Sequence, residues 1–550
     1  MTMKEYADIL LPNVEHDWEY YEKKYPERKL ADGAMVTRFA PSPTGFVHMG
    51  SLYASFADLQ FAHQSKGVAY LRIEDTDQKR EVENGIEGII KDFNDLGLSW
   101  DEGPIYGGEY GPYIQSERKD IYQAYAKKLI EEGLAYPCFC TEEEVNVIRK
   151  NQEIKKDRIG YYGRYARCRN YNIEQALERI NNNEPYVIRF KSPGNPDNKV
   201  VLNDLIKGHI EMPENDLDIV IIKKDGLPTY HFAHAVDDHL MKTTHVFRGD
   251  EWVSSYPVHE QLFKTLGFEL PKYAHIAPIT IKDNGSIRKL SKRKDTGAAI
   301  SYYYKQGIPT DVIRLYLATV NNSGFEEWYT NNPTLTVDDY KFTFDKMPVG
   351  GSLFDLDKLL SISRIYFSRQ KGEDIYENLV KYLEVNDEEF YTIVSKYKDL
   401  TINSLNIEKF TPRPRKDIAS YSDYKKYFWY MYDELFNEES YKEVEYKDFY
   451  DKDLLNDYIN NYYNENDDKD TWFNKIKDLA EKYGFAKEVK AYKQEPDKYK
   501  GHVGDVCELI RVALTSQKQT PDLYELLKIF GQKRAQNRLE MFANTIKEKN

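Results

Sequence analysis

The sequence predicts an α/β protein: a Rossmann-type doubly wound parallel sheet with an α+β insertion, followed by an all-α C-terminal half. Three observations support this fold class. Residues 36–100 alternate strand, helix, strand and helix, which is typical of a doubly wound sheet. Residues 111–235 break that alternation, which indicates an insertion. After about residue 366 the pattern is helical, without strand alternation.

The first half of the predicted sheet begins with a short strand at residues 36–40. The Pro-rich loop "PSPTG" follows, and then a segment with apolar residues at helical spacing that Gly67 ends. The run "VAYLRI" predicts a buried parallel strand, which ends in "EDTD" and precedes a second amphipathic helix. Ligands of such sheets bind beyond the carboxyl ends of the strands, so both loops are candidate site segments.

Later segments complete this pattern. The insertion includes the segment "KVVLNDLIKGHIEM", which predicts strands. The strand "THVFR" returns the chain to the sheet and ends in "GDEW" at 249–252. The stretch "RKLSKRKDTGAA" at 288–299 is a basic loop. Residues 1–33 predict a polar helical extension that packs as an appendage, and residues 485–550 carry more lysine and arginine than acid.

Composition narrows the class of protein. The chain has 550 residues, which predicts three to five domains at about 100–200 residues each. No apolar run approaches the length of about 20 residues that spans a bilayer, and the acidic N-terminus is no secretory signal. Four cysteines are too few for a disulfide framework, so we expect a cytoplasmic protein without a membrane partner. The net charge of −14 argues against a nucleic-acid partner unless a basic face lies on an acidic body.

Two segments suggest a nucleotide site. His48 and Gly50 stand at a predicted helix start, where unpaired N–H groups attract anions and glycine permits close approach of a phosphate. The lysines of "KLSKR" (289–293) suit a clamp on a polyphosphate. Taken alone, each segment has a plainer explanation: His48 would be a histidine that caps a helix, and "KLSKR" would be a solvent-exposed basic turn. The sequence contains no Walker A loop and no G-x-G-x-x-G motif.

A third set suggests the second substrate. Arg38, Glu74 and Arg248 each stand near a predicted strand end. Two guanidiniums would take the carboxylates of an acidic amino acid while Glu74 faces its ammonium group. Structural ion pairing is the alternative explanation.

Four segments in this order resemble glutamyl-tRNA synthetases, a family of class I aminoacyl-tRNA synthetases: "RFAPSPTGFVHMGS", "LRIEDTD", "PTYHFAHAVDDHLMKTTHVFRGDEW" and "KLSKRK". Residues 48–51 stand at the HIGH position of the family and residues 289–293 at its KMSKS position. The resemblance resumes at "RVALTSQKQTPDLYELLKIFG". It implies ATP-dependent ligation of L-glutamate to tRNA(Glu) through glutamyl-adenylate, with Mg²⁺ and release of AMP and pyrophosphate.

The resemblance also implies residue roles. The catalytic residues are His48 and Lys292. The ATP-binding residues are His48, Gly50, Ser51, Lys289, Ser291, Lys292 and Glu251. The glutamate-binding residues are Arg38, Ala40, Ser42, Glu74, Tyr230, His234 and Arg248. Two positions depart from the family pattern: Ser51 replaces the second histidine of HIGH, and His234 stands where related enzymes often have asparagine.

The implied domains follow the same order. They are an N-terminal extension (1–33), a Rossmann catalytic domain (34–110 and 236–260), an acceptor-stem-binding insertion (111–235), a stem-contact region with the KLSKR loop (261–365) and an all-helical anticodon-binding region (366–550). We expect a monomer. Whether tRNA(Gln) is charged as well stays open.

The cysteines suggest a structural zinc site. Cys138, Cys140 and Cys168 match the region where some family members bind zinc, and three thiolates with a fourth ligand would form a tetrahedral site. The position of the usual histidine is Asn170, so Tyr165 or Tyr162 is the expected fourth ligand. The alternative is three free thiols.

Two other functions remain open. One is a non-catalytic tRNA- or nucleotide-binding paralogue. The other is a paralogue that activates glutamate without tRNA and transfers it to a modified tRNA base; such paralogues lack the C-terminal half.

Overall fold

The computed structural model describes residues 1–43, 47–77, 82, 84–283, 285–291 and 294–546. The chain divides into two compact units. The N-terminal unit comprises Met1–Ile300 and Ile313–Asp355, and the C-terminal unit comprises Ser301–Val312 and Leu356–Asn550.

The N-terminal unit mixes helices and strands. In chain order its elements are α1 (Met3–Leu10), α2 (Trp18–Lys24), β1 (Val36–Phe39), α3 (Met49–Gln64), β2 (Val68–Leu71), α4 (Gly85–Asp95), α5 (Lys119–Glu131), β3 (Ala135–Cys138), α6 (Glu142–Lys155), α7 (Ile173–Asn181), β4 (Val187–Phe190), β5 (Lys199–Asp204), β6 (Gly208–Pro213), β7 (Val220–Ile222), α8 (Tyr230–Leu240), β8 (His245–Gly249), α9 (Tyr256–Leu266), β9 (Lys272–Ile276), β10 (Thr280–Asp283) and β11 (Ser286–Lys289). Three helices follow: α10 (Ile300–Gln306) is assigned to the C-terminal unit from Ser301 onward, α11 (Thr310–Asn321) belongs to the N-terminal unit from Ile313 onward, and α12 (Phe325–Asn331) belongs to the N-terminal unit.

Parallel strand pairs form the centre of this unit, as the Rossmann-type prediction requires. Strand β1 pairs in parallel with β2, and β8 pairs in parallel with β9. The Thr244 N–H, just before β8, donates to the Val36 carbonyl of β1 at 3.0 Å. The strands are almost wholly buried, which explains the continuous apolar run of β2.

The predicted insertion and N-terminal extension have secondary structure of their own. The insertion contains an antiparallel sheet in the order β3-β4-β7 and the hairpin β5-β6, in addition to helices. The predicted helical extension forms α1 and α2. After α2, Arg28 makes a bidentate ion pair with Glu102 at 2.7 and 2.8 Å, and its guanidinium stacks 3.8 Å from the Tyr110 ring. The extension is therefore fixed by a buried ion pair.

The elements assigned to the C-terminal unit after residue 355 are all helical within the described part of the chain. They include α13 (Leu356–Arg369), α14 (Gly372–Asn386), α15 (Glu388–Lys396), α16 (Lys398–Asn406), α17 (Tyr421–Phe428), α18 (Lys452–Asp457), α19 (Lys469–Lys482), α20 (Val489–Gln494), α21 (Val503–Thr515) and α22 (Leu523–Thr545). This confirms the prediction of a helical C-terminal half.

Tyrosines take part in the core of the C-terminal unit and bring hydroxyl groups into it. Tyr424 and Tyr432 share a hydrogen bond of 3.0 Å between their hydroxyls. Each also bonds a residue of α16 at 2.7 Å, Ser404 and Thr401 respectively. Among the described residues, no helix combines the length and apolarity that crossing a membrane demands.

Candidate active site

A cavity of about 260 Å³ lies at the carboxyl ends of β1, β8 and β9. It brings together five of the residues predicted to bind ATP: His48, Gly50, Ser51, Glu251 and Lys289. Apolar residues complete its wall: Phe39, Ile276, Ala277, Pro278, Ile279, Leu290 and Ala298. An apolar wall beside His48 and Lys289 suits a nucleotide. The base would lie against the apolar wall, and the phosphates would face His48 and Lys289.

The start of α3 explains the spacing of His48 and Gly50. His48 is the N-cap of α3, and its Nδ1 accepts a hydrogen bond from the Ser51 N–H at 3.1 Å. This bond assigns the ring proton to Nε2, which makes Nε2–H a donor. A Cβ at position 50 would lie 2.9 Å from His48 Cε1 and 3.0 Å from its Nδ1, so this imidazole position requires glycine.

Hydrogen bonds to the Asp295 carboxylate hold the described part of the basic loop in place. Arg288 makes two bonds of 2.7 Å to Asp295, and the Ser291 N–H donates to the same carboxylate at 2.8 Å. The hydrogen bonds from Arg288 lower the pKa of Asp295 to about 2. Lys289 Nζ lies 3.7 Å from Glu251 Oε1, in the wall of the cavity. The prediction for Lys292 falls outside the described residues.

Arg38 is buried at the end of β1 with a side-chain exposure of 4%. Its Nε donates to Asp238 at 3.1 Å and its Nη1 to the Phe247 carbonyl at 3.2 Å. Arg72 binds the other oxygen of Asp238 at 2.5 Å. Burial opposes ionisation of Asp238, but Arg72 and Arg38 outweigh burial and hold its pKa well below the ordinary value. Arg38 thus already has a carboxylate partner within the protein.

The other residues of the predicted glutamate pocket lie around the same strand ends. Glu74 lies 3.3 Å from Arg72, and burial raises its pKa. Ala40 is half-buried and Ser42 is exposed. Tyr230 begins α8, with its ring centre 4.3 Å from that of Trp252.

Arg248 has uncharged partners. Its Nε donates to His275 Nε2 and its Nη1 to His259 Nδ1, both at 2.9 Å, and its Nη2 donates to the Trp252 carbonyl at 3.3 Å. The guanidinium also lies 4.6 Å from the Tyr273 ring. Sequence reasoning missed both histidines, although His275 lies near the carboxyl end of β9, where the rule applied to Arg38 and Arg248 would have found it.

His234 is fully buried, and both ring nitrogens face protein groups. Its Nδ1 lies 2.8 Å from Asp238 Oδ2, and its Nε2 lies 3.0 Å from the Tyr273 hydroxyl. Burial lowers its pKa to about 4, so the ring is neutral. Its position suits a role in supporting Arg38 through Asp238 and in packing behind Tyr230.

The three predicted cysteines form a cluster away from this cavity. Their sulfur atoms lie within 4.8 Å of one another. The Tyr161 hydroxyl joins them, at 3.4 Å from Cys138 Sγ and 3.3 Å from Cys140 Sγ. Tyr165, the fourth ligand suggested by the sequence, instead bonds Asp157 at 2.5 Å.

The cluster fits a structural zinc ion. Three thiols supply three of the four donors of a tetrahedral site, and the Tyr161 hydroxyl lies where a fourth oxygen donor would be needed. Hydrogen bonds from Cys140 and Cys168 lower the pKa of Cys138. Sequence spacing did not single out Tyr161.

Comparison with known proteins gives a consistent result. Residues 34–347 match the model of the catalytic domain of class I tRNA synthetases (E and Q), and residues 375–543 match an anticodon binding domain. A glutamate–tRNA ligase of Clostridium perfringens is 46% identical, covering 98% of this chain and 100% of that protein. One of Sorangium cellulosum is 40% identical, covering 95% and 97%.

A solved structure agrees over nearly the whole chain. The crystal structure of a glutamate tRNA ligase from Elizabethkingia meningosepticum, in complex with its amino acid, superposes with a TM-score of 0.72 at 28% identity. The match covers 94% of this chain and 100% of that one. The catalytic match spans more than half of the chain, and with these relatives it shows that the chain belongs to the class I tRNA synthetases of the E and Q family.

Proposed function

We propose that this protein is a glutamate–tRNA ligase that joins L-glutamate to tRNA(Glu) with Mg·ATP. The observation that carries this proposal is the shared position of the His48 cavity and the two buried arginines at one edge of the parallel sheet. Arg38 and Phe39 are neighbours on β1, and Arg248 and Gly249 are neighbours on β8. Successive side chains of a strand point to opposite sides, so each strand serves both substrates.

The reaction has two steps. An α-carboxylate oxygen of glutamate attacks the α-phosphorus of ATP, the bond to the bridging oxygen of the β-phosphate breaks, and pyrophosphate leaves. The terminal ribose 2′-hydroxyl of tRNA then attacks the activated carbonyl, loses its proton, and AMP leaves. Such chemistry needs positioning and neutralisation of charge more than a covalent intermediate on the protein.

The nucleotide residues would supply that neutralisation. His48 Nε2–H donates to phosphate oxygens as charge develops, and Lys289 adds a positive charge from the facing wall. Lys292 is proposed for the same task from sequence alone. Gly50, Ser51, Ser291 and Glu251 complete the proposed ATP site.

Glutamate recognition would rest on Arg38 and Arg248, with Glu74 for the ammonium group and Ala40, Ser42, Tyr230 and His234 shaping the pocket. Asp238 already compensates the charge of Arg38, whereas the partners of Arg248 are neutral. Arg248 is therefore assigned to the γ-carboxylate. An amide in its place would leave donors facing donors, so glutamate is preferred over glutamine.

The remaining assignments follow the domain order. Residues 111–235 would bind the acceptor stem, 261–365 would contact the stem, and 366–550 would read the anticodon. The cysteine cluster would hold zinc with Tyr161 as the fourth ligand. We place the protein in the cytoplasm as a monomer.

Charging with labelled glutamate, on separately purified tRNA(Glu) and tRNA(Gln), tests the function. Charging of tRNA(Glu) alone supports a discriminating ligase, and charging of both supports a relaxed one. If folded protein charges neither tRNA, the proposed activity is rejected and the non-catalytic tRNA- or nucleotide-binding paralogue is favoured instead. Loss of charging in Arg248→Ala is expected, and unchanged glutamate activation would refute the assignment of Arg248.

A further inference from the structure

Arg248 lies in the middle of a line of hydrogen-bonded side chains that crosses the floor of the proposed glutamate pocket. The line runs from Asp204 through His275, Arg248 and His259 to His231. The three central side chains are 6% exposed or less. The proposed reaction uses Arg248 alone among them, so the other members need an explanation.

The donors of Arg248 determine where each imidazole carries its proton. A guanidinium has only N–H donors, so His275 Nε2 and His259 Nδ1 must both be unprotonated acceptors. The His275 proton therefore lies on Nδ1, which faces Asp204 Oδ2 at 2.6 Å. The His259 proton lies on Nε2, which faces His231 Nδ1 at 2.9 Å. Each hydrogen bond between neighbouring members of the line thus joins one donor to one acceptor.

One end of the line is anchored in the insertion. Asp204 ends β5, and its Oδ1 accepts the Ile206 and Lys207 N–H groups at 2.9 and 2.8 Å. The same carboxylate accepts the His275 backbone N–H at 3.0 Å. Because both of its oxygens are held, the Asp204 carboxylate fixes the His275 ring plane and its tautomer.

The neutrality of the two imidazoles matters for binding. Arg38 and Arg72 share the Asp238 carboxylate, which compensates their charges. The hydrogen-bond partners of Arg248 include two imidazoles and a backbone carbonyl. Its charge is thus left for a bound carboxylate. These three partners and the Tyr230 hydroxyl, which also bonds the guanidinium, are all uncharged, so none of them compensates its positive charge.

We propose that His275 and His259 are positioning residues that set the preference for a γ-carboxylate over a γ-amide. They hold the Arg248 guanidinium in one plane, with its remaining N–H groups pointing at the ligand. A guanidinium free to rotate would turn both donors to an amide oxygen, whereas a fixed one presents one donor to the amide oxygen and the other to the amide NH₂, which cannot accept it. This inference rests on the proposed function, since it assumes that Arg248 meets the glutamate side chain.

Matched pairs of variants separate the hydrogen bond from side-chain volume. His275→Gln keeps an acceptor near the position of Nε2, and His275→Met has similar length without it. His259→Asn keeps an acceptor near the position of Nδ1, and His259→Leu has similar size without it. For each variant, KM for glutamate, KM for ATP, kcat and the glutamate-to-glutamine ratio of kcat/KM are measured in adenylate formation, with thermal unfolding as the folding control.

The apolar variants are expected to raise KM for glutamate roughly 10-fold to 100-fold, the range for losing a hydrogen bond to a charged group. The glutamate-to-glutamine ratio should fall at least about 10-fold, while KM for ATP stays within about 2-fold. The Gln and Asn variants should recover most of both losses. Equal defects in the polar and apolar members of a pair, or an equal rise in KM for ATP, would mean a packing role and overturn the proposal.

A second measurement needs no variant. Long-range ¹H–¹⁵N spectra of the wild-type protein with ¹⁵N-labelled histidine report the tautomer of each ring, and single-histidine substitutions assign the signals. We expect Nδ1–H for His275 and Nε2–H for His259. The opposite tautomer at either ring would overturn the proposal even where an apolar variant fails to fold. Wild-type protein that fails to charge glutamate would instead reject the proposed function and leave the tautomers measurable.

Discussion

Replacing Gly50 by alanine should separate the stability of this protein from its activity. Gly50 is the second residue of α3, directly after the N-cap turn that holds His48. An alanine Cβ would lie 2.9 Å from His48 Cε1 and 3.0 Å from His48 Nδ1. Contacts this short are not tolerated, so the imidazole must swing away and lose its hydrogen bond from Ser51.

The two effects on stability nearly cancel. Alanine in a helix is more stable than glycine by up to about 1 kcal/mol. Loss of the side-chain cap costs about 1 kcal/mol. The melting temperature should therefore change by no more than a few degrees. The effect on catalysis has no such offset, because loss of one preorganised donor to a developing charge lowers kcat about 100-fold or more.

The assay is glutamate-dependent exchange of pyrophosphate into ATP, with tRNA present, beside a thermal melt of the same sample. Gly350→Ala is the matched control, since a Cβ at the exposed Gly350 meets no atom within 4 Å. A Gly50→Ala protein whose kcat stays within about threefold of wild type would show that the His48 ring position does not matter for adenylate formation, and would refute the role given to Nε2–H.

Three further results are expected. Protein purified without chelator should contain about one zinc per chain by mass spectrometry. Tyr161→Phe should lower that zinc content, whereas Tyr165→Phe should not. Equal loss of zinc in both variants would reject Tyr161 as a ligand. Burial raises the pKa of Asp58 well above its ordinary 3.8, so the folded state binds this proton more tightly than the unfolded chain does. The free energy of unfolding therefore falls as the pH rises from 3.8 towards the pKa of the folded state. Asp58→Asn should therefore gain stability over wild type in urea unfolding, by an amount that grows as the pH rises above 3.8; a gain independent of pH would contradict this. Arg28→Ala should lower the free energy of unfolding by about 2 kcal/mol, because Glu102 keeps its bond from Tyr113 but loses its cationic partner; a double-mutant cycle showing no coupling between Arg28 and Glu102 would contradict it.

Local patterns were enough to predict the main parts of the fold and the position of the candidate site. A short strand pattern identified β1, apolar segments identified β2 and β8, and the rule for parallel strand ends then placed Arg38, Glu74 and Arg248 at one edge. The helix-start pattern likewise identified the His48 turn. These features depend on neighbours in sequence, which a single chain displays.

Features that depend on strand register or on irregular turns were not predictable in this way. His275 meets Arg248 because the parallel pairing of β8 and β9 places them opposite each other, and sequence alone does not specify that register. Tyr161 rather than Tyr165 faces the cysteines. Two short 3₁₀ turns, Gly163–Tyr165 and Arg167–Asn170, set the direction of the chain in this segment and thereby of each ring. Such turns carry no periodic signal.

The paired tyrosine hydroxyls in the helical C-terminal unit affect how its stability varies with temperature. A core of phenylalanine would expose only apolar surface on unfolding, which raises the heat capacity, whereas each tyrosine also exposes a polar hydroxyl, which lowers it. The bonds among Tyr424, Tyr432, Thr401 and Ser404 mean that unfolding also hydrates four hydroxyls. The unit should therefore have a flatter stability curve than a phenylalanine core of equal size, and lose less of its stability on cooling.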